Sequence, residues 1–120
     1  MILDTLDIAH NIVDVLASRM GADILLLDIS PLTLIADYFV IATGESERQL
    51  HAMVEAVEDK LKTDDEIDIT LVSRPEGTPA SGWVLLDLGA IVVHLFSPSQ
   101  REHYQLEELW EKARIIVRMA

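Results

Sequence analysis

The stretch of sequence that most constrains the fold is a pair of short apolar runs joined by an Asp-Leu-Gly turn. The runs cover residues 83–86 and 91–96, and both are rich in β-branched or aromatic side chains. Each run is too short for a separate helix, and Gly89 supplies the permissive backbone that the turn requires. The pattern predicts a β-hairpin with Trp83 at the start of its first strand.

Length and composition limit the classes of protein to which the chain can belong. Its 120 residues are half hydrophobic, enough for one domain with its own core, and the absence of cysteine excludes disulfides, thiolate zinc sites and cysteine nucleophiles. Asp4 and Asp7 lie where a secretory signal carries basic residues, and every long apolar run is interrupted by Asp, Pro or Gly. We predict a single domain over residues 1–120 of a soluble, cytoplasmic protein that binds no membrane.

The charge of the chain limits its partners. Twenty-one acidic residues against nine Lys and Arg give a net charge of −12, and the basic residues form no patch. Such a field repels a phosphate backbone but attracts a basic protein. We therefore predict no direct, sequence-specific binding of nucleic acid.

Three helices are predicted from apolar spacing and from capping residues. Residues spaced by three and four from Leu6 to Met20 predict a first helix that ends at Gly21. Ser46 is the expected N-cap of a second helix, with Gln49 completing a capping box. A final helix is expected to begin near Ser99.

Strand patterns lie between these helices. The runs at residues 24–29 and 38–42 predict two buried strands, the alternation at 67–72 predicts a third, and residues 74–82 predict a loop into the hairpin. The order of elements predicts a layered α/β domain with a mixed sheet of about five strands covered by helices.

Two features admit an enzymatic interpretation. Gly44 and Ser46 stand at a strand-to-helix junction that could cradle a phosphate. Glu66 and Asp68 would share one side of a strand and could hold magnesium, joined by Asp37 or Asp87. A nucleotide-dependent transferase is therefore the alternative function, although a lone capping Ser is an ordinary helix start and acidic pairs are common in so acidic a chain.

The histidines give no comparable signal. They lack the short spacings of a zinc site, and His94 inside a strand is expected to be structural. The four are His10, His51, His94 and His103. The residues alone therefore predict no catalytic, cofactor or metal site.

Trp83 admits two interpretations. It is one of only two tryptophans, and it follows Gly82 at a strand end. Trp is enriched among interface hot spots, yet packing against a neighbouring helix would explain it equally. Tyr38, and Tyr104 with Trp110, leave the same two interpretations open.

Four motifs carry a resemblance to a known family. They lie at residues 37–44, 82–89, 92–96 and 101–110, and they occur in order along nearly the whole chain. The sequence resembles the ribosomal silencing factor family, also called Iojap-like.

The resemblance implies a fold similar to nucleotidyltransferases without their catalytic residues, and hence no enzymatic activity and no cofactor. It implies binding to protein fourteen of the large ribosomal subunit, which blocks docking of the small subunit and represses translation when nutrients are scarce. A basic partner of this kind suits the acidic chain.

By motif, the resemblance implies Trp83 as the central anchor of that contact. The residues implied around it are Asp37, Tyr38, Gly82, Val84, Leu86 and Asp87. Arg48, Gln49 and His94 also match family positions and admit structural roles.

The sequence departs from the family pattern at Glu45 and Ala90, and its tail at 111–120 extends past the usual final Trp. Ile115, Ile116 and Val117 in that tail are expected to lengthen the last helix or to support self-association. The resemblance to members that are dimeric in isolation also implies a homodimer of the free protein.

Overall fold

The computed structural model describes residues 2–120, except for the side chain of Leu109. It confirms the mixed α/β class, with six strands in one sheet instead of about five. The helices are α1 Thr5–Ser18, α2 Glu47–Thr63, α3 Pro98–Tyr104 and α4 Leu106–Leu109, and a 3₁₀ turn covers Pro79–Ser81. The strands are β1 Ala22–Asp28, β2 Tyr38–Thr43, β3 Glu76–Thr78, β4 Trp83–Asp87, β5 Ile91–Phe96 and β6 Arg114–Met119.

The strand order in the sheet is β3-β4-β5-β2-β1-β6. Neighbouring strands are antiparallel except β2 and β5, which are parallel. The predicted hairpin is therefore β4 and β5, with Trp83 paired to Phe96. None of the helices in residues 2–120 combines the length and the apolarity needed to cross a bilayer.

One side of the sheet, which we call the covered face, packs against α1 and α2. Side chains at helical spacing, such as Ile12 and Leu16 of α1 and Met53 of α2, are fully buried there. Each contributes roughly 1.5–3 kcal/mol of transfer free energy. As predicted, the Ser46 side chain accepts from the Gln49 amide, but the Gln49 side chain pins α2 to the carbonyls after α1 instead of completing a capping box.

The other side of the sheet, which we call the open face, is only partly covered. A second apolar cluster that includes Phe39, Ile41 and Phe96 lies on it, and Trp83 and Trp110 pack against its edge. The helices on this side, α3 and α4, have seven and four residues, against fourteen and seventeen for α1 and α2. They are too short to cover six strands.

The predicted third strand at residues 67–72 is wrong. Ile67 is buried, but the segment forms no ladder, and Val72 donates one backbone hydrogen bond of 2.8 Å to the Asp87 carbonyl. The strand that pairs with β4 is instead β3, inside the segment predicted as a loop. Gly77, with φ +78°, permits this pairing, because a Cβ there would lie 2.0 Å from the Trp83 carbonyl oxygen.

The predicted helical tail at residues 111–120 is also wrong. Helix α3 stops at Tyr104, where Gln105 takes a φ of +47°, and α4 ends at Leu109. Residues 114–119 of the tail form β6, antiparallel to β1. The β-branched run at 115–117 favours a strand wherever a partner strand exists. Met20 is a smaller error, since it lies outside α1 and is 80% exposed.

Candidate partner-binding surface

Strand β4 sends its side chains alternately to the two faces of the sheet. Trp83, Leu85 and Asp87 point to the open face and are half-buried, whereas Val84 and Leu86 are 1% and 0% exposed beneath the helices of the covered face. Val84 and Leu86 therefore cannot touch a partner while the protein is folded, contrary to their predicted place around Trp83. The period-two rule for strands, applied to residues 83–87, would have separated the two sets.

Trp83 belongs to a cluster of aromatic rings on the open face. Its ring centroid lies 4.4 Å from that of Tyr104, 4.9 Å from Phe96 and 6.0 Å from His94. These separations fall in the range of favourable aromatic pairs. Tyr104 itself is 45% exposed, so the cluster reaches the protein surface. One side of the indole therefore packs against the protein, and the other side is accessible.

His94 lies behind Trp83 and orients it. The Trp83 Nε1–H donates to His94 Nδ1 over a long 3.4 Å, and on the imidazole's other side Phe39 meets it edge-on at 4.8 Å. The histidine is only 4% exposed, and desolvation by this burial lowers its pKa to about 4. The imidazole is therefore neutral at physiological pH, with its proton on Nε2, which is buried and has no hydrogen-bond partner among the described residues. The structure gives His94 a supporting role.

Gly82 sets the point at which Trp83 enters the sheet. It follows the 3₁₀ turn with φ +81°, and a Cβ there would come within 2.6 Å of Ser97 Oγ. Its carbonyl accepts a 2.8 Å bond from the Ser97 amide. Thr78 and Ser81 close the turn through a reciprocal capping box. Any larger residue at position 82 would therefore strain the backbone and push against the side chains of Ser97 and Gln100.

Asp37 and Tyr38 lie at the opposite end of the sheet from Trp83. Tyr38 pairs with Ile91 at the start of β5, and Trp83 pairs with the last residue of that strand. At about 3.3 Å per residue the two positions are roughly 17 Å apart. Tyr38 also packs on the covered face, and Asp37 is exposed. The structure therefore does not gather these two residues around the Trp83 ring.

The end of the sheet near Tyr38 is acidic. The pKa of the Tyr38 phenol is raised first by burial and then by the carboxylates of Asp28, Asp37 and Asp4. Asp87 lies at this end too, where its Oδ1 accepts a 2.8 Å bond from the Gly89 amide and closes the hairpin turn. A partner that contacts both ends of β4 would meet an aromatic ring at one and carboxylates at the other.

The residues of the alternative, nucleotide-dependent function are not brought together. Gly44 and Ser46 precede α2, and Glu66 and Asp68 follow it, so a helix of seventeen residues, about 25 Å long, separates them. The Gly44 amide already donates to the Phe96 carbonyl, and the Glu45 amide donates to Gln49 Oε1. Within residues 2–120 no three His, Asp or Glu side chains converge as metal ligands would. The residues of the alternative function therefore lie too far apart to form one joint magnesium and phosphate site.

Arg101 has a structural role next to the candidate surface that the residue pattern alone did not indicate. Its guanidinium, 11% exposed, binds Glu107 Oε1 at 3.1 Å and Thr43 Oγ1 at 2.9 Å, and it also donates to the Asp23 carbonyl. These bonds fasten α3, and with it Tyr104, to the ends of β1 and β2. The spacing of six between Arg101 and Glu107 resembles no helical pair, because Gln105 breaks the helix between them, so no local signal could reveal it.

Comparison with known proteins gives consistent matches. The model of the family described as "Ribosomal silencing factor during starvation" matches residues 3–119. The chain is 43% identical over 95 residues to the ribosomal silencing factor RsfS of Bacillus subtilis, covering 79% of this chain and 77% of that protein. It is 36% identical over 104 residues to the mouse protein named mitochondrial assembly of ribosomal large subunit protein 1, covering 82% of this chain and 43% of that one.

The fold is matched as well. A crystal structure of a protein from Chromobacterium violaceum superposes with a TM-score of 0.83 at 34% identity, covering 98% of this chain and 97% of that chain. A second crystal structure, from Bacillus halodurans, gives a TM-score of 0.73 at 30% identity and covers 88% and 95% of the two chains.

Proposed function

The chain belongs to the ribosomal silencing factor family, and we propose that it represses translation by binding protein fourteen of the large ribosomal subunit and sterically blocking the small subunit. The proposed contact surface is the edge of the open face formed by Trp83, Leu85 and Asp87, with Tyr104 beside it. It acts in the cytoplasm as a binding protein and not as an enzyme, when nutrients are limiting.

The observation that carries this proposal is the setting of Trp83. The indole is half-buried against Tyr104, Phe96 and His94 and keeps an accessible edge on a face that no long helix covers. Immobilised aromatic rings bind at low entropic cost, and Trp is the residue most enriched among hot spots. On the covered face, by contrast, α1 and α2 bury the core side chains and leave them unavailable to a partner.

The residues implied at the far end of the sheet can contact the same partner as Trp83 if the interface has the standard size. A standard interface covers about 800 Å² on each protein, a patch roughly 30 Å across. Trp83 and Asp87 lie about 13 Å apart along β4, and exposed Asp37 follows next to the hairpin turn. A basic partner would then meet Trp83 at the centre and the carboxylates of Asp87 and Asp37 at the rim. We revise the contact set accordingly, with Val84 and Leu86 left in the core.

The charge of the chain supports the same partner class. At a net charge of −12, association with a basic ribosomal protein is favoured, and the ribosomal RNA around it is repelled. The mouse relative carries the ribosomal large subunit in its name, and by analogy we assign the large subunit to this chain.

The test is cosedimentation of the purified protein with separated ribosomal subunits, followed by mixing of the two subunits. We expect the protein to travel with the large subunit and joined ribosomes to be lost. Trp83→Ala should weaken large-subunit binding by on the order of 2 kcal/mol, because it removes a desolvated anchor. The matched control is Met20→Ala, which truncates an 80% exposed side chain away from the open face. Normal joining at saturating protein, or equal binding by a folded Trp83→Ala variant, would refute the respective part of the proposal.

We further propose that the free protein forms a homodimer. Among the strands of residues 2–120, β6 lies at one edge of the sheet and exposes part of Ile115 and Met119. An uncovered edge strand is a template for pairing with a second copy. Sedimentation velocity over a range of concentrations tests this, and a strictly monomeric species throughout would rule it out.

A further inference from the structure

A second feature of the open face lies apart from the Trp83 surface. Between β6 and the α3–α4 segment runs a groove of about 880 Å³. Leu25 and Leu27 of β1 lie on its floor but are only 6% and 2% exposed. The apolar surface that a ligand can reach is therefore that of half-buried Trp110 and of Ile115 in β6, which is 47% exposed. The groove exists because α3 and α4 end over the middle of the sheet and leave the edge strand β6 uncovered.

The walls of the groove are strongly acidic. Five carboxylates line it against two guanidinium groups, and one of these, Arg101, is already paired with Glu107. The carboxylates belong to Asp23, Glu102, Glu107, Glu108 and Glu111. All but Glu107 are exposed, so they face any incoming group. An apolar floor with an acidic rim is complementary to a segment that is apolar on one side and basic on the other.

The dimensions favour a helix. An α-helix about 10 Å wide that rises 1.5 Å per residue fills roughly 120 Å³ per residue, so 880 Å³ holds about two turns. The floor is made by side chains standing on the sheet face, where a layered α/β domain normally packs a helix. An added strand would pair with the backbone edge of β6 and leave this floor empty.

We propose that this groove is a second docking surface, for a two-turn amphipathic helix with a Lys- or Arg-rich side from a protein partner. Apolar residues of that helix, spaced by three and four, lie on Trp110 and Ile115, and its cations face Glu108 and Glu111. The site is distinct from the Trp83 surface, so it neither requires nor excludes the ribosomal contact proposed above. It gives the protein a means of binding a second protein at the same time.

The experiment uses a synthetic probe peptide of about 14 residues, with Leu at i, i+3, i+4 and i+7 positions and Lys elsewhere. The chain has only two tryptophans, one at each surface, so single-tryptophan variants report on the surfaces separately. In Trp83→Phe, only Trp110 emits, and its emission should shift and saturate on addition of the peptide. In Trp110→Phe, only Trp83 emits, and its emission should stay unchanged. A saturating response from Trp83 in place of Trp110 overturns the assignment to the groove.

Charge reversal at the rim then tests whether the carboxylates contribute to peptide binding. Glu108→Lys with Glu111→Lys should weaken peptide binding about tenfold or more, measured by fluorescence anisotropy of the labelled peptide. The matched control, Glu55→Lys with Asp59→Lys, changes the net charge equally at exposed positions of α2. Equal weakening by both pairs, or no saturable binding to the unmodified protein, overturns the proposal. Cosedimentation with the large subunit is scored separately, so a failed groove and a failed ribosomal contact are told apart.

Discussion

The covered and open faces of the sheet are built from the same strands but differ in how completely helices cover them. On the covered face, α1 and α2 bury almost every side chain that β1, β2, β4 and β5 contribute. On the open face, α3 and α4 leave Trp83 at one side and a groove at the other only half covered. The difference indicates that completed packing supplies the stability, and that surface accessible to a partner remains where the helices are too short to complete a layer.

The sharpest test of this comparison uses two leucines that are adjacent in β4. Leu86 is 0% exposed on the covered face. Leu86→Ala should lower the free energy of unfolding of the protein by about 2–5 kcal/mol, because a cavity opens in the core. Leu85→Ala, on the half-buried open face, should lose only about 1 kcal/mol. Urea unfolding of both variants measures the difference. Equal losses would mean that the open face is packed as completely as the covered one.

The second prediction concerns pH and His94. Burial lowers the pKa of the folded imidazole from 6.5 to about 4, so between these values the unfolded chain binds a proton that the folded chain does not. The contribution of His94 to the free energy of unfolding is therefore fully present above pH 6.5. It is lost as the pH decreases, by about 3 kcal/mol once pH 4 is passed. The carboxylate of Asp28, whose pKa is lowered by bonds from Ser30, loses its own contribution at still lower pH.

The matched variant for this effect is His94→Asn, which keeps an acceptor near the Trp83 indole and cannot be protonated. The dependence between pH 6.5 and 4 should disappear from its urea-unfolding curves, while the contribution of Asp28 remains. If the two proteins show parallel pH profiles, His94 is solvated in the folded state, and the aromatic cluster is looser than the geometry indicates.

Local signals account for the parts of the fold that the sequence predicted correctly. Apolar spacing and the Ser46 cap identify α1 and α2, and the Asp-Leu-Gly turn identifies the hairpin. The strands β3 and β6 were missed because their pairing depends on distant residues. The run at 115–117 fits a helix or a strand equally, and only β1, far away in sequence, decides between them. Non-local pairing is the information that a single sequence lacks.

The residues of the candidate surface also fall into those that local sequence patterns indicate and those that only the tertiary structure places. Trp83 was identified from its strand-end position and from the family motif. The removal of Val84 and Leu86 from the contact set needed only the strand period. The distance between Trp83 and Tyr38 needed the parallel register of β2 and β5, and the role of Arg101 needed the break at Gln105. Sequence patterns thus point to Trp83 as the proposed anchor, whereas the identity of its neighbours depends on tertiary structure.

The smallest expected effect is the absence of a nucleotide response at α2 on the covered face. A site there with a dissociation constant a hundredfold below the nucleotide concentration would add about 2.7 kcal/mol of stability and raise the midpoint of thermal unfolding by several degrees. Because Gly44 and Glu66 lie at opposite ends of α2, and the Gly44 and Glu45 amides are already bonded, we expect no shift with millimolar ATP or CTP and magnesium. A magnesium-dependent rise that Ser46→Ala abolishes would contradict this and would give the covered face a ligand site. A rise that Ser46→Ala leaves intact would instead locate nucleotide binding elsewhere, and the single-tryptophan variants would show whether it lies on the open face.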